Sequence, residues 1–321
     1  MPVSVVMPVL NEEVHLAAAC AAVLDNGYPG PLELVIALGP STDDTDAIAE
    51  SIAADPRVVL VSNPTGATPS GLNLAIATSH HPVVVRTDGH ARLPKGYVAD
   101  AVAALVRSGA ANVGGRMVPT SHSVLGKAIA VAMASRWGIG GAGHRVGGEA
   151  GPADSVYLGA FRREALQAVG GFDEHFIRAQ DWELNYRLRH AGFEVYFVPT
   201  MRVPYEPRRS WRALARQFYE SGRWRREVVH VHPDSRSVRY LAAPVALVFV
   251  GAGTAIGLLG LVTTLDWLAL GFLAPFAYLA GVLFASLTHL RELPLRSWVR
   301  LPGVLATMHM SWGTGFLRGI R

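Results

Sequence analysis

Apolar positions in this chain follow two rhythms. Short runs rich in β-branched residues, VSVVMPV (3–9), LELVIAL (32–38), RVVLVSN (57–63) and PVVVRTD (82–88), have the length and make-up of buried strands. Between them lie longer stretches with apolar residues three or four apart: VHLAAACAAVLDN closed by Gly27, DDTDAIAESIAA, GATPSGLNLAIATSH (66–80) and YVADAVAALVRSG. Gly39 and Pro40 break the chain after the second run, and Ser41 or Thr42 is placed to cap the next helix. ANVGGRMV adds a further strand. Strand alternating with helix predicts an α/β fold with a parallel, doubly wound sheet. Ligands of such sheets collect at the carboxyl ends of the strands. Glu12 follows the first strand, Ser41 to Asp44 the second, and Asp88 with His90 the fourth, so all are expected around one crevice.

The pattern changes in the last third. Tyr240–Val262 and Trp267–Leu287 carry no charge, and only TTLD separates them. Each has about the 20 residues needed to cross a hydrocarbon core. They predict a transmembrane helical hairpin with Asp266 in its turn; a core hairpin of a soluble protein is the other reading. Arg223, Arg225, Arg226, Arg236 and Arg239 precede the pair, and Arg291, Arg296 and Arg300 follow it. Positive flanks stay inside, which puts both on the cytosolic face and only the turn outside. The stretch 301–317, with His309 near its middle, is expected as an interfacial or re-entrant helix. The expected domains are therefore 1–205 (α/β), 206–239 (basic amphipathic interface helices), 240–288 (two transmembrane helices) and 289–321 (C-terminal helix).

Composition adds two bounds. The chain has 321 residues, 50% of them hydrophobic and 17% charged, with a net charge of +4. That balance suits anionic partners of several kinds and selects none. A single cysteine, Cys20, forms no internal disulfide and fits a reducing compartment. The N-terminus lacks the basic and small-residue marks of a secretory signal, so the first two thirds are expected in the cytosol.

Candidate chemistry lies in four places. Asp88 and His90 flank Gly89 at a strand end, where residues i and i+2 point the same way and glycine lets a ligand approach. A carboxylate and an imidazole so placed can share a divalent cation with phosphate oxygens, or can simply form a polar turn. Asp181 opens the amphipathic helix AQDWELNYRLRHAGF, either as its cap or, beside Gln180 and Trp182, as a base for an acceptor hydroxyl. The glycine-rich segment GIGGAGHRVGGEAGPAD (138–154) is a closing loop or a plain connector, with His144, Arg145 and Asp154 as its functional candidates. Residues 205–239 interleave arginines with Trp211, Phe218, Tyr219 and Trp224, which suits a membrane interface or a lipid diphosphate better than nucleic acid.

Taken in order, VVMPVLNEE, NPTGATPSGLNLAI, RTDGH, GGFDE, AQDWELNYRLRHAG and YEPRRSWRALARQFYESGRW resemble an inverting family 2 glycosyltransferase of GT-A fold. The likeness is to the membrane-associated enzymes that extend lipid-linked saccharides in succinoglycan-type exopolysaccharide assembly, and it runs over nearly the whole chain. RTDGH falls at the family's Asp-x-Asp metal motif and AQDWELNYR at the motif of its catalytic base. The resemblance implies Asp88 and His90 on a Mn2+ or Mg2+ ion and the donor diphosphate, Asp181 as general base, and Pro8, Asn11, Glu12 and Ser41 lining the nucleotide pocket. It implies a nucleotide-diphospho sugar donor, with UDP as the expected nucleotide, and a polyprenyl-linked saccharide acceptor at the cytosolic face of the cell membrane. Direct transfer to a polyprenyl phosphate and a non-catalytic membrane subunit are the rival readings. Two positions depart from the pattern. Leu38-Gly39-Pro40-Ser41 stands where the family has an acidic run, with Asp43 or Asp44 as the expected substitute, and His90 stands in place of an aspartate. Arg223-Trp224 resembles the end of a Gln-x-x-Arg-Trp motif, but Gln217 lies six residues back, so a processive polymerase is not expected. Arg223 and Trp224 remain acceptor candidates.

Overall fold

In a computed structural model, which describes residues 1–140 and 143–320, the chain runs β1 (Val3–Val9), α1 (Leu16–Leu24), β2 (Leu32–Leu38), α2 (Thr45–Ile52), β3 (Val58–Ser62), α3 (Thr68–Thr78), β4 (Val83–Arg86), α4 (Tyr97–Ser108) and β5 (Asn112–Pro119). It continues through α5 (Val124–Ala134), α6 (Arg136–Ile139), α7 (Gly143–Val146), β6 (Gly151–Pro152), β7 (Tyr157–Arg162), α8 (Arg163–Ala168), α9 (Gln180–His190) and β8 (Val195–Tyr205). The remainder is helical: α10 (Trp211–Val231), α11 (Ala242–Val262), α12 (Leu273–Leu287), α13 (Leu295–Trp298) and α14 (Leu301–Arg318). The chain divides into two compact units, Met1–Val118 with Gly143–Tyr205, and Pro119–Ala142 with Glu206–Arg321.

In the first unit one eight-stranded sheet has the order β3-β2-β1-β4-β7-β5-β8-β6. β1 pairs in parallel with β2 and with β4, and β2 with β3. From β1 the chain steps outward to β2 and β3, then returns to lay β4 on the other side. That reversal opens a crevice at the carboxyl ends of β1 and β4. The sheet is not parallel throughout. β7 runs antiparallel between β4 and β5, and β6 antiparallel to β8. A parallel neighbour needs a crossover to bring the chain back to its starting edge; β7 arrives without one, and pairs antiparallel.

The pleat of β1 explains why this sheet is covered on both faces. Val3, Val5, Met7 and Val9 pack in the same core cluster as Leu16, Val23, Val98 and Leu105 of α1 and α4. Val6 packs in the other, with Leu72 and Ile76 of α3, Leu166 of α8 and Leu184 and Leu188 of α9. Strands buried on both sides read as continuous apolar runs. Each fully buried aliphatic side chain is worth about 1.5–3 kcal/mol of transfer energy.

The second unit departs from the expected boundaries, because 119–142 belongs to it rather than to the first. α5 buries Ala128, Ile129, Ala132 and Met133 there, Ser135 Oγ lies 2.9 Å from His289 Nε2, and His309 Nε2 lies 2.6 Å from the Trp137 carbonyl. Glycines set its closest packing. A Cβ on Gly222 would strike the Trp312 carbonyl and one on Gly315 the Tyr219 carbonyl, so α10 and α14 pack backbone to backbone. Gly253 and Gly260 of α11 likewise approach backbone, at Gly271 and at the Leu268–Ala269 peptide, while Gly257 lies against the Phe272 ring. Asp266–Phe272 is 3-10 helix, so the second apolar stretch is α-helical only over α12. The unit's outward surface is apolar: Val245, Phe249, Leu261, Trp267, Leu273, Phe276 and Phe284 are all exposed.

Candidate active site

The end of β1 is pinned by hydrogen bonds to the loop after β2. Asn11 takes a left-handed backbone (φ 55°), which asparagine tolerates better than most residues. Its N–H donates to Ser41 Oγ (3.1 Å), and its Oδ1 accepts from the Thr42 N–H (2.8 Å). The Glu12 N–H donates to Thr45 Oγ1 (2.8 Å). Pro8 stands opposite Ala37 in the β1–β2 ladder, and a Cβ on Gly71 of α3 would lie 3.1 Å from its Cβ. Glu12 is thereby turned toward the end of β4, where its Oε1 lies 2.8 Å from His90 Nδ1. Gly89 makes that approach possible: a Cβ there would sit 3.2 Å from both Glu12 Cγ and Val9 Cγ2.

Two residues before Asp88, and so on the same side of the strand end, stands Arg86. It is 5% exposed. Its Nη2 donates to Asp88 Oδ1 (2.9 Å), and its Nη1 pairs with Asp181 Oδ1 at the start of α9. One guanidinium therefore joins two carboxylates that are far apart in the chain. Burial alone would push the Asp88 carboxyl up, but the Arg86 charge, the His90 imidazole and the Arg86 hydrogen bond outweigh it and hold it below the usual carboxylate range. Tyr157, at the start of β7, is driven the other way: burial and the Asp88 charge raise its phenol. Arg145 of α7 stands beside Tyr157 and Tyr205, and desolvation pulls its guanidinium below its ordinary value.

Asp181 does not cap its helix, since Ala179 is the cap residue and no side chain closes that end. Ala179 is itself left-handed (φ 63°), as is Leu158 (φ 45°). With Asn11 these are the three non-glycine residues of positive φ among the described residues. Each borders a site residue: Glu12, Tyr157 and the Gln180-Asp181 pair. Strain of this kind costs on the order of 1–3 kcal/mol per residue and persists only where the surroundings impose it.

The surroundings of α9 do impose it. Glu183 is fully buried and pairs with Arg187 (2.6 Å), whose other nitrogens donate to the carbonyls of Val169 and Gly171. Asn73 of α3 donates to the Phe172 carbonyl (2.8 Å) and to Glu174 Oε1 (3.1 Å), and Ser70 Oγ donates to Glu174 Oε2 (2.5 Å). The GGFDE turn is thus tied to α3 on one side and to α9 on the other.

The structure pairs Asn11 with Ser41 and Glu12 with His90, joins Asp88 to Asp181 through Arg86, and brings the His90 and Asp88 charges close enough to interact. Other candidates stand elsewhere. Asp43 is occupied locally: it accepts from the Thr45 hydroxyl (2.5 Å) and the Glu13 N–H, and the Thr45 hydroxyl is the main reason its carboxyl lies below the usual range. Asp154 pairs with Arg189 on α9 (3.6 Å). Trp182 is buried and stacks on Tyr186, while Gln180 is the half-exposed first residue of α9. The His144 side chain lies outside the described residues. Arg223 and Trp224 belong to the second unit, where Arg223 Nε donates to the Gly319 carbonyl (2.9 Å) at the end of α14. Sequence reading passed over Arg86, Tyr157 and the Glu183–Arg187 pair. The available signal for Arg86 was an arginine closing a run of three valines.

The donor set of Asp88 and His90, one carboxylate and one imidazole, fits a divalent ion that accepts nitrogen as well as oxygen. Glu12 orients the imidazole, as a second carboxylate commonly does behind a metal-bound histidine. Among the described residues no three His, Cys, Asp or Glu side chains group closely enough to cage an ion alone. A cation here would take its remaining ligands from phosphate oxygens and water, the usual habit of Mg2+ beside a substrate phosphate.

Comparison with known proteins gives the family and the fold. The sequence profile of Glycosyl transferase family 2 matches residues 4–170. The chain is similar to the succinoglycan biosynthesis protein ExoA of Rhizobium meliloti (strain 1021), with 29% identity over 330 residues, 98% of this chain and 93% of ExoA. In fold it is similar to the mannosyltransferase PcManGT from Pyrobaculum calidifontis, solved with GDP-Man and Mn2+ (TM-score 0.60, 21% identity, 95% of this chain and 85% of that one). It is also similar to residues 1–349 of S. aureus TarS in complex with UDP (TM-score 0.51, 14% identity, 99% and 90%). The mixed, mostly parallel sheet with its flanking helices is GT-A-like.

Proposed function

The chain belongs to Glycosyl transferase family 2, and from that premise we propose that it moves a sugar, with inversion, from a nucleotide-diphosphate donor to a hydroxyl of a lipid-linked saccharide. The observation that carries this reading is the network at the ends of β1 and β4, where Glu12–His90 and Asp88–Arg86–Asp181 share one crevice.

The donor lies across the strand ends, beside Asn11, Glu12 and Ser41, with its diphosphate toward Asp88. Asp88 and His90 would hold a Mn2+ or Mg2+ ion, whose chemistry when bound is to neutralise charge on the departing diphosphate. Asp181 accepts the proton of the acceptor hydroxyl. That oxygen bonds to the anomeric carbon from the face opposite the diphosphate, and the bond from carbon to the diphosphate oxygen breaks with its electron pair. One displacement inverts the centre and needs no protein nucleophile; positioning and charge stabilisation supply the rate. UDP is the expected donor nucleotide.

The acceptor is lipid-linked and the protein sits in a membrane. Two of its helical stretches, Val238–Val262 and Asp266–Leu287, are long and apolar enough to cross a bilayer, and only 17% of the most apolar window of each is buried. A hairpin that formed the core of a soluble protein would bury these side chains; here they face outward. The arginines on both flanks support a cytosolic position for those flanks.

The test is binding of UDP, GDP, dTDP and ADP to detergent-solubilised protein, with and without Mn2+ or Mg2+. Metal-dependent binding of one of them, lost in Asp88→Ala, is the expected result. Binding of none would overturn the reading.

A further inference from the structure

We propose that Arg86 is a positioning residue for the transfer: it sets Asp181 at the donor end of the crevice by holding the Asp181 and Asp88 carboxylates in one fork. The inference rests on the reading of Asp181 as base and Asp88 as donor contact.

Three observations carry it. Arg86 ends β4, opposite Val6 in the β1 ladder, so its backbone is fixed by the centre of the sheet. Its side chain is buried, and among the described residues its polar partners are the two carboxylates and nothing else. Asp181, in turn, is held at its carboxylate by Arg86 alone among the described residues, while the body of α9 is fixed through Glu183 and Arg187. The helix is thus placed by one ion pair and the reacting carboxylate by another. A buried guanidinium without partners is costly, so its two acids also stabilise it there. Counted together, Asp88, Asp181 and Arg86 carry one negative charge rather than two, which favours approach of an anionic donor.

The chemistry of the fork distinguishes this role from a general need for positive charge. Nη2 donates to Asp88, and Nη1 faces Asp181 as an ion pair. An ammonium is a single point of charge on a flexible stem and cannot reproduce two planar, diverging donors. Arg86→Lys therefore keeps a cation beside the nearby Asp88 and releases Asp181.

The experiment uses the full chain in detergent. It measures nucleoside-diphosphate affinity over the same four-nucleotide panel, then release of the bound nucleotide from its matching nucleotide sugar with water as acceptor. We expect Arg86→Lys to keep nucleotide affinity within about threefold and to lower the release kcat about 100-fold, the lower end of what a positioned base supplies. Asp181→Asn should lower it as much, and the double variant should be no slower than either, because both changes remove one interaction. Release within threefold of wild type in Arg86→Lys, losses that multiply in the double variant, or a loss confined to nucleotide affinity would each overturn the role given to Arg86. Wild-type protein that binds no nucleotide, or Asp181→Asn with full release, would instead overturn the reading beneath it. Should Arg86→Lys lack a cooperative melting transition, Arg86→Gln, planar and uncharged, is read by the same measures.

Discussion

The loop after β2 and the strand end at β4 both present aspartates to the same crevice, yet the two sets are committed differently. Asp43 accepts from Thr45 and from the Glu13 backbone, so it closes the start of α2 and braces the end of β1. Asp88 accepts from a buried arginine that it shares with Asp181. Asp43 takes only neutral donors, a hydroxyl two residues on and a backbone N–H of the loop after β1, whereas Asp88 shares a buried cation two residues back in the chain with a second acid from the start of α9. The first arrangement braces the fold, and the second supports the site proposed above.

That contrast can be tested in order of expected effect. Asp181→Asn keeps the shape of the side chain and removes its basicity. Transfer from nucleotide sugar to acceptor is expected to fall about 10²- to 10⁴-fold in kcat, with donor KM little changed; a loss confined to KM would move Asp181 from chemistry to binding. Glu183→Gln attacks the support rather than the site. Removing one partner of a buried ion pair costs about 3–5 kcal/mol, so thermal unfolding should shift strongly downward while nucleotide affinity at low temperature survives. Asp43→Ala sits at the small end, with turnover within about twofold of wild type and a slightly lower Tm. Its pH signature has a definite sign. The folded Asp43 carboxyl lies below its unfolded value, so its contribution is present above the unfolded pKa and disappears as pH falls through the folded one. Melting curves of wild type and Asp43→Ala should therefore converge in acid and separate toward neutral pH. Separation that grows in acid would assign Asp43 a different role.

The same contrast marks what was legible in the sequence. β1, β2 and β4 were readable because two-sided burial writes them as runs dominated by valine, isoleucine and leucine, and β3, at the sheet edge, because VVLVS keeps the same make-up. Asp88, His90 and Asp181 could be singled out because strand and helix ends stand beside them. The direction of β7 was not, since an apolar run is the same in either sense and only pairing decides. That 119–142 clusters with the later helices was not legible for a related reason: VLGKAIAVAMA shows that a face must be buried and not which partner buries it. Arg86 needed the third dimension, because its meaning comes from Asp181, and nothing local to VVVR announces an acid at the start of α9.

The placement of 119–142 sets a schedule for the nascent chain. The polypeptide passes from one unit to the other between residues 118 and 119, back between 142 and 143, and across again between 205 and 206. α5 therefore leaves the ribosome well before α13 and α14, the helices it packs against. Until these are made its apolar face lacks its α13 and α14 partners, while the sheet can complete itself once β8 emerges. Synthesis runs at roughly 5–20 residues per second, so the wait lasts seconds. In that interval α5 is the segment that a chaperone or a bilayer surface must shelter, and a chain stopped after Tyr205 would keep it exposed for good.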